Sequence, residues 1–242
     1  MGRTIIISDI HGCLTQLQAL LEVAGFDANR DHLILLGDLI DHGPQSREVV
    51  DFAIPLVRAG IATAIRGNHD QRLIETVNGE PEALAKFFKH GGQATYESYI
   101  GPREHRTESE MLRELQERIP SEFQHHLDFI ADMPYYLEDN SYIYVHAGIH
   151  PDYKHDWQNQ PHREFLYVKD PFISQPTGLA KPVVFGHTKT ADIHGKPDIW
   201  FNEDKIGIDG GCAYGYQLNA LVVGEDGTLH AFHIKYKEET QP

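Results

Sequence analysis

Cysteine is scarce: Cys13 and Cys212 are the only two in 242 residues. They give no disulfide framework and no quartet of thiolates for zinc, in keeping with a reducing compartment. Long apolar runs are missing as well. No stretch of about 18 apolar residues occurs, and the opening MGRTIIISDIHG puts Ser8 and Asp9 straight after three isoleucines, so neither a membrane span nor a signal peptide is expected. Positive charge is also short, with 21 Lys and Arg against 36 Asp and Glu and a formal charge of −15. That deficit opposes binding to nucleic-acid backbones or anionic lipid, which need a cationic footprint. The expectation is a cytoplasmic protein with neither membrane nor nucleic-acid backbone as partner.

What is present is alternation. RTIIIS (3–8), HLILLG and IATAIRG are short apolar runs suited to buried strands. Between them lie two helix patterns. LTQLQALLEVAG carries Leu14, Leu17, Leu21 and Ala24 at helical spacing with Gly25 to end it, and SREVVDFAIPLVRAG runs from a Ser46 cap to Gly60. Strand alternating with helix predicts βαβ units and a largely parallel sheet. From about residue 71 to 133 the chain becomes charged and helix-patterned, with Thr107 and Glu110 as a capping box. Within it, FFKHGG reads as core and helix end, with Gly91 and Gly92 as the stop. Then YYLEDNSYIYVHAG predicts two strands about a turn at Asp139 and Asn140, and PVVFGH, DKIGIDGG and the hairpin QLNALVVGEDGTLHAFHIKY predict more. Residues 150–182, rich in Pro, His and Asp, are expected as an extended loop near a site.

Each early strand stops at a polar cluster: SDIHG with Asp9 and His11, GDLIDHG with Asp38, Asp41 and His42, and RGNHD with Asn68, His69 and Asp70. Two later strands close on His146 (YIYVHAG) and His187 (VVFGHT), each with a glycine nearby that lets backbone approach. In α/β sheets ligands bind beyond the carboxyl ends of strands, so these clusters are expected to converge. A single Asp or His after a strand is usually a turn former. Five together, with carboxylate, imidazole and amide donors and no cysteine, describe a site for Mn²⁺, Fe, Zn²⁺ or Mg²⁺, with donors enough for two ions.

The ordered set D-x-H, G-D-x-x-D-x-G, G-N-H-D, H-A-G and G-H-T resembles the calcineurin-like metallophosphoesterases, in particular the compact bacterial and phage branch of the PPP-type serine/threonine phosphatases. The ending IGIDGGCAYGYQLNALVV resembles that branch too. The resemblance implies an α/β fold of two packed sheets, a β-sandwich flanked by helices, as a single domain over residues 1–242 with a helical insertion at about 71–133. It implies two divalent ions, Mn²⁺ by preference, with Asp9, His11 and Asp38 holding the first and Asp38, Asn68, His146 and His187 the second. Such a pair would make a water acidic and hold phosphoryl oxygens for in-line attack on phosphorus. By the same resemblance His69 is the general acid and Asp41 orients its ring.

The sequence departs from the family at DHG, where an arginine usually grips a phosphate oxygen; His42 offers fewer donors. Lys169, in EFLYVKD, stands where a second such arginine is usual. Arg66, just before GNHD, is a candidate to face the site, and Asp209 and Tyr214 are candidates to line the cleft. Cys13 reads as a small packing residue. The expected activity is hydrolysis of phosphomonoesters, first of phosphoserine or phosphothreonine in proteins and also of phosphotyrosine. The alternative is hydrolysis of dinucleoside polyphosphates such as diadenosine tetraphosphate, or of a small phosphoester. A metal-stabilised binding module is disfavoured, because it has no need of Asp41 and His69.

Overall fold

The computed structural model describes residues 2–103 and 105–236. Ten strands among them form two five-stranded sheets. In the first, β1 (Thr4–Ile7), β2 (His32–Leu35) and β3 (Ala62–Ala64) run parallel, and the hairpin β9 (Gln217–Val223) and β10 (Leu229–Lys235) adds antiparallel to β1, giving the order β10-β9-β1-β2-β3. The second contains β4 (Tyr136–Glu138), β5 (Ile143–Val145), β6 (Val183–Phe185), β7 (Trp200–Phe201) and β8 (Lys205–Gly207), in the order β4-β5-β6-β8-β7. The core of this sheet, β5-β6-β8, is parallel.

Both faces of the first sheet are covered, which is why its central strands are apolar throughout rather than alternating. Ile6, Ile34 and Leu221 point inward against Tyr144, Val184 and Ile206 of the second sheet. One residue to either side, Ile5, Ile7, Leu33 and Leu35 point outward. There they meet Leu17 and Leu20 of α1 (Leu14–Val23) and Val49, Val50 and Ala53 of α2 (Ser46–Arg58). Each such Ile, Leu or Val side chain contributes about 1.5–3 kcal/mol by leaving water. On the far face of the second sheet, Val145, Val183 and Phe185 pack on Trp157, Phe165 and Phe172. The architecture is therefore two mixed sheets sandwiched between helices, as the resemblance implied.

The helical block comprises α3 (Asn68–Val77), α4 (Pro81–Lys86), α5 (Gly92–Tyr99) and α6 (Glu108–Asp132). The expected capping box opens α6: the Thr107 amide donates to Glu110 at 2.8 Å and the Glu110 amide to the Thr107 hydroxyl at 3.3 Å. Pro120 lies inside α6 and Phe123 leaves helical dihedrals at φ −131° and ψ 30°, a bend with the usual cause.

Three local expectations need correction. The helical block begins at Asn68, not near residue 71, so its first turn belongs to the strand-end cluster. Ser46 is the first residue of α2 rather than its cap, and Gln45 occupies the cap position. Residues 150–182 are not an extended loop throughout: they contain 3₁₀ turns at Pro151–Tyr153 and Trp157–Asn159 and the helix α7 (His162–Tyr167). Trp157, Phe165 and Phe172 are too widely spaced to show a period, yet they bury against the sheet and fix these turns. One further short helix, α8 (Thr190–His194), follows β6. No helix among the described residues is long and apolar enough to cross a membrane.

Candidate dimetal site

Asp9 and His11 follow β1, Asp38, Asp41 and His42 follow β2, Asn68 and His69 open α3 just after β3, and His146 and His187 follow β5 and β6. The chain turns sharply at these points. Asp9, His11, Asp38, Asp41, His42 and His187 all have positive φ, between 47° and 70°, a left-handed conformation that non-glycine residues rarely adopt. Gly186 makes room beside them, since a Cβ there would run into Ser8 and the Asp9 carboxylate.

The donor atoms of Asp9, His11 and Asp38 lie within 4.8 Å of one another, and so do those of Asp38, His146 and His187. Asp38 belongs to both groups. His11 Nε2 and His146 Nε2 approach Asp38 Oδ2 at 3.6 and 3.4 Å, and Asn68 Oδ1 lies 3.0 Å from His146 Nε2. The other ring nitrogens are committed: His11 Nδ1 donates to the Ile40 carbonyl and His146 Nδ1 to the Leu36 carbonyl, each at 2.8 Å. That arrangement fixes both tautomers with Nε2 aimed into the cluster, as a metal-ligating histidine requires. The donor set thus fits two hard or borderline cations sharing one carboxylate.

Electrostatics agree with that fit. Burial pushes the Asp9 carboxyl well above the usual range, and the neighbouring Asp209 and Asp38 add to it. Burial lowers His11 to about 3, so its ring is neutral. Burial also acts against charge on Asp38 and His146, but their mutual attraction wins, holding Asp38 well below the carboxylate range and lifting His146 to about 10. A proton on His146 is here the counter-charge to a buried carboxylate, the part a bound cation takes.

Asp38 has a second support. The His69 amide, in the first turn of α3, donates to Asp38 Oδ1 at 2.9 Å, placing the carboxylate at a helix N-terminus. Asp70, fully buried, accepts from the amides of Asp38 (2.8 Å), Leu39 (3.0 Å) and Gly67 (2.9 Å) and so ties the β2 loop to α3.

His69 Nδ1 lies 2.7 Å from Asp41 Oδ2. Arg72 Nη1 is 3.1 Å from the same nitrogen. A guanidinium only donates, and Nδ1 cannot donate and accept at once, so the shorter contact takes the ring proton. Arg72, 3.9 Å from Asp41 Oδ2, then offsets the buried carboxylate. The His69 Nε2 side faces Asp38 Oδ2 at 3.9 Å.

A cleft of about 410 Å³ opens over this centre, lined among others by His69, Arg72, Lys169, His187, Lys189 and Tyr214. Lys169 therefore stands in the cleft. His42 packs at its edge, with ring centroids 4.9 Å from His11 and 5.2 Å from His69, and Nε2 3.1 Å from the Tyr214 hydroxyl. Burial, then His69, lowers its pKa, so its ring is held neutral near pH 7. Asp209 is buried beside Asp9, and Gly211 N donates to it at 2.8 Å. Cys13 is buried, as a packing residue should be.

Arg66 is the correction. Its guanidinium is turned away from the cleft, bonding to Gln71 Oε1 (2.9 Å), the Tyr135 hydroxyl (3.0 Å), and the Ala131 and Met133 carbonyls that close α6. Arg66 is buried and caps the end of a helix. The roles of Asp70, Arg72, Thr95 and Lys189 were not foreseen. Arg72 had a signal, standing three positions after His69 on a helical pattern; Thr95, which donates to Asp41 Oδ1 at 2.5 Å, had none because it is 54 residues from its partner.

The sequence profile described as calcineurin-like phosphoesterase matches residues 2–210. Among curated proteins, the asymmetrical bis(5'-nucleosyl)-tetraphosphatase PrpE of Anoxybacillus flavithermus is 29% identical over 246 residues, covering 93% of this chain and 91% of the relative. Serine/threonine-protein phosphatase 1 of Salmonella typhimurium is 27% identical over 216 residues, covering 88% of each chain. The crystal structure of a metallophosphoesterase from Sphaerobacter thermophilus shares the fold, with a TM-score of 0.58 at 21% identity over 97% of this chain and 89% of that one. With the profile running through every strand-end cluster from Asp9 to His187, this chain belongs to the calcineurin-like phosphoesterase family.

Proposed function

We propose that this protein is a dimetal hydrolase of dinucleoside polyphosphates, of which diadenosine tetraphosphate is the type. The observation that carries the reading is end-to-end similarity to a bis(5'-nucleosyl)-tetraphosphatase, at 93% of this chain and 91% of the relative. This reverses the order expected from the sequence, where phosphoserine and phosphothreonine came first. His42 in place of the usual arginine supports the reversal. A neutral imidazole bonded to Tyr214 grips a lone phosphomonoester weakly, whereas a polyphosphate chain brings further oxygens to other cations.

Asp9, His11 and Asp38 would hold one cation and Asp38, Asn68, His146 and His187 the other. Such ions, Mn²⁺ by preference, supply Lewis acidity toward phosphoryl oxygens and acidify water. The chain's own groups do the rest. Lys169, Lys189 and Arg72 line the cleft and draw in a polyanion that the overall charge of −15 would otherwise repel. Asp41 orients His69, whose Nε2 gives its proton to the oxygen that leaves phosphorus. In a dinucleoside tetraphosphate one phosphoanhydride P–O bond breaks, water oxygen joins phosphorus, and the departing nucleotide oxygen keeps the electron pair.

The second reading, a phosphoprotein phosphatase, is favoured by the Salmonella serine/threonine phosphatase relative. Comparing kcat/KM for diadenosine tetraphosphate, a phosphoserine peptide and p-nitrophenyl phosphate tests the order. Dominance of the peptide overturns the proposal, and nucleotide products from the first substrate at the highest kcat/KM support it.

A further inference from the structure

Beside the metal cleft lies a second cavity of about 500 Å³, bounded by α3, α4 and α7. The two hollows are continuous, because Arg72, His90 and Tyr167 line both. Resting on the function proposed above, we infer that this second cavity is a nucleoside subsite, holding one base and ribose of the dinucleotide while the phosphates stay over the metal centre.

The chemistry of the walls divides the substrate in this way. The metal cleft presents Lys169 and Lys189 beside carboxylates that would face bound cations, whereas in the second cavity Glu75, Glu80 and Glu82 are balanced by Arg72, Lys86 and Arg163. Carboxylates repel phosphate but accept hydrogen bonds from ribose hydroxyls and from an exocyclic amine. A neutral nucleoside is therefore the part that belongs there.

An aromatic pile serves the base. The Tyr135 and His162 rings stack at 4.0 Å between centroids and 22° between planes, and Arg66 lies over Tyr135 with its Cζ 4.8 Å from the centroid. Tyr135 thus meets both the His162 ring and the Arg66 guanidinium, and exposed His162 stands at the cavity wall. A purine extends such a stack. Arg163, whose Cζ is 5.3 Å from the Tyr167 centroid, adds a second flat cation on the same helix. This also gives Arg66 an indirect part: anchored on the end of α6, it fixes the plane on which the pile is built.

Adenosine, which carries no phosphate and needs no metal, is the probe. Calorimetric titration of adenosine into the metal-loaded protein should show binding, and His162→Ala and Arg163→Ala should each weaken it about tenfold. In the metal-loaded enzyme the same substitutions should lower kcat/KM for diadenosine tetraphosphate about tenfold relative to that for p-nitrophenyl phosphate, mainly through KM. Both side chains are exposed, and circular dichroism verifies that the variants fold. If adenosine fails to bind, or binds both variants as well as wild type, the subsite is overturned although dinucleotide hydrolysis stands. If wild type cleaves the phosphopeptide but no dinucleotide, the functional reading itself falls and the subsite with it.

Discussion

Asp41 spends both carboxylate oxygens inside the protein: Oδ2 accepts the Nδ1 proton of His69 at 2.7 Å and Oδ1 accepts the Thr95 hydroxyl at 2.5 Å. The carboxylate is fully buried and makes none of the closest donor groupings around Asp38. Its work is to aim an imidazole. Replacing Asp41 or His69 by Asn should leave two metals per chain, read by plasma mass spectrometry, while turnover falls about 10²- to 10⁴-fold on an alkyl phosphomonoester. The loss should be smaller on the dinucleotide, whose nucleotide leaving group needs less protonation than an alkoxide. Equal turnover in wild type and variant on the alkyl ester would remove the pair from the mechanism.

Chelation should destabilise the fold as well as stop turnover. Ions bound by Asp38 and its neighbours stabilise only the folded chain, so thermal midpoint should rise with the logarithm of added Mn²⁺. Asp38→Asn, which weakens both positions at once, should flatten that dependence. A midpoint indifferent to metal in wild type would count against a folded-state cation site.

Gly91 sits at φ +87°, and a Cβ there would lie 2.7 Å from His42 Cγ and Nδ1. The His42 amide also donates to the Gly91 carbonyl at 3.1 Å. Gly91→Ala should therefore cost about 1–3 kcal/mol in urea unfolding, from backbone strain and displacement of His42. An unshifted urea midpoint would show that the ring yields freely.

Acid stability should depend on Arg3 and Asp31, which join β1 to the entry of β2 through a paired contact at 3.1 and 2.6 Å. The Arg3 hydrogen bond, opposed by burial, holds the Asp31 carboxyl below its ordinary value. With the folded pKa below the unfolded one, the bond contributes above the ordinary carboxylate range and is lost as pH falls through the folded value. Asp31→Asn should be less stable than wild type at neutral pH, with the gap closing as pH falls below the ordinary carboxylate range. A gap independent of pH would contradict the linkage.

The strand-end clusters were legible because strands of period two with both faces buried leave a sharp boundary at the first polar residue, and each boundary carried chemistry. Asp9 through His187 could be located that way, with the order of motifs adding their pairing. Arg66 misled because adjacency along the chain says nothing about which side of a strand end a long side chain leaves, and the α6 carbonyls that claim it are 65 and 67 residues away. The segment from 150 to 182 misled because its helix is six residues long and is held by tertiary packing on the second sheet, not by a repeating apolar face. The second cavity was invisible for the same reason: its walls come from α3, α4 and α7, which no single pattern joins.

The left-handed turns at the strand ends carry one more consequence. Aspartate, asparagine and histidine are, after glycine, the side chains that such backbone tolerates best, and they are also those that hold hard and borderline cations. The vocabulary that lets the chain turn is nearly the vocabulary that lets it bind. Exchanges within that small alphabet at Asp9, His11, Asp38 or His187 can silence the chemistry while sparing the architecture, so descendants of this scaffold have a short path to inert, well-folded copies.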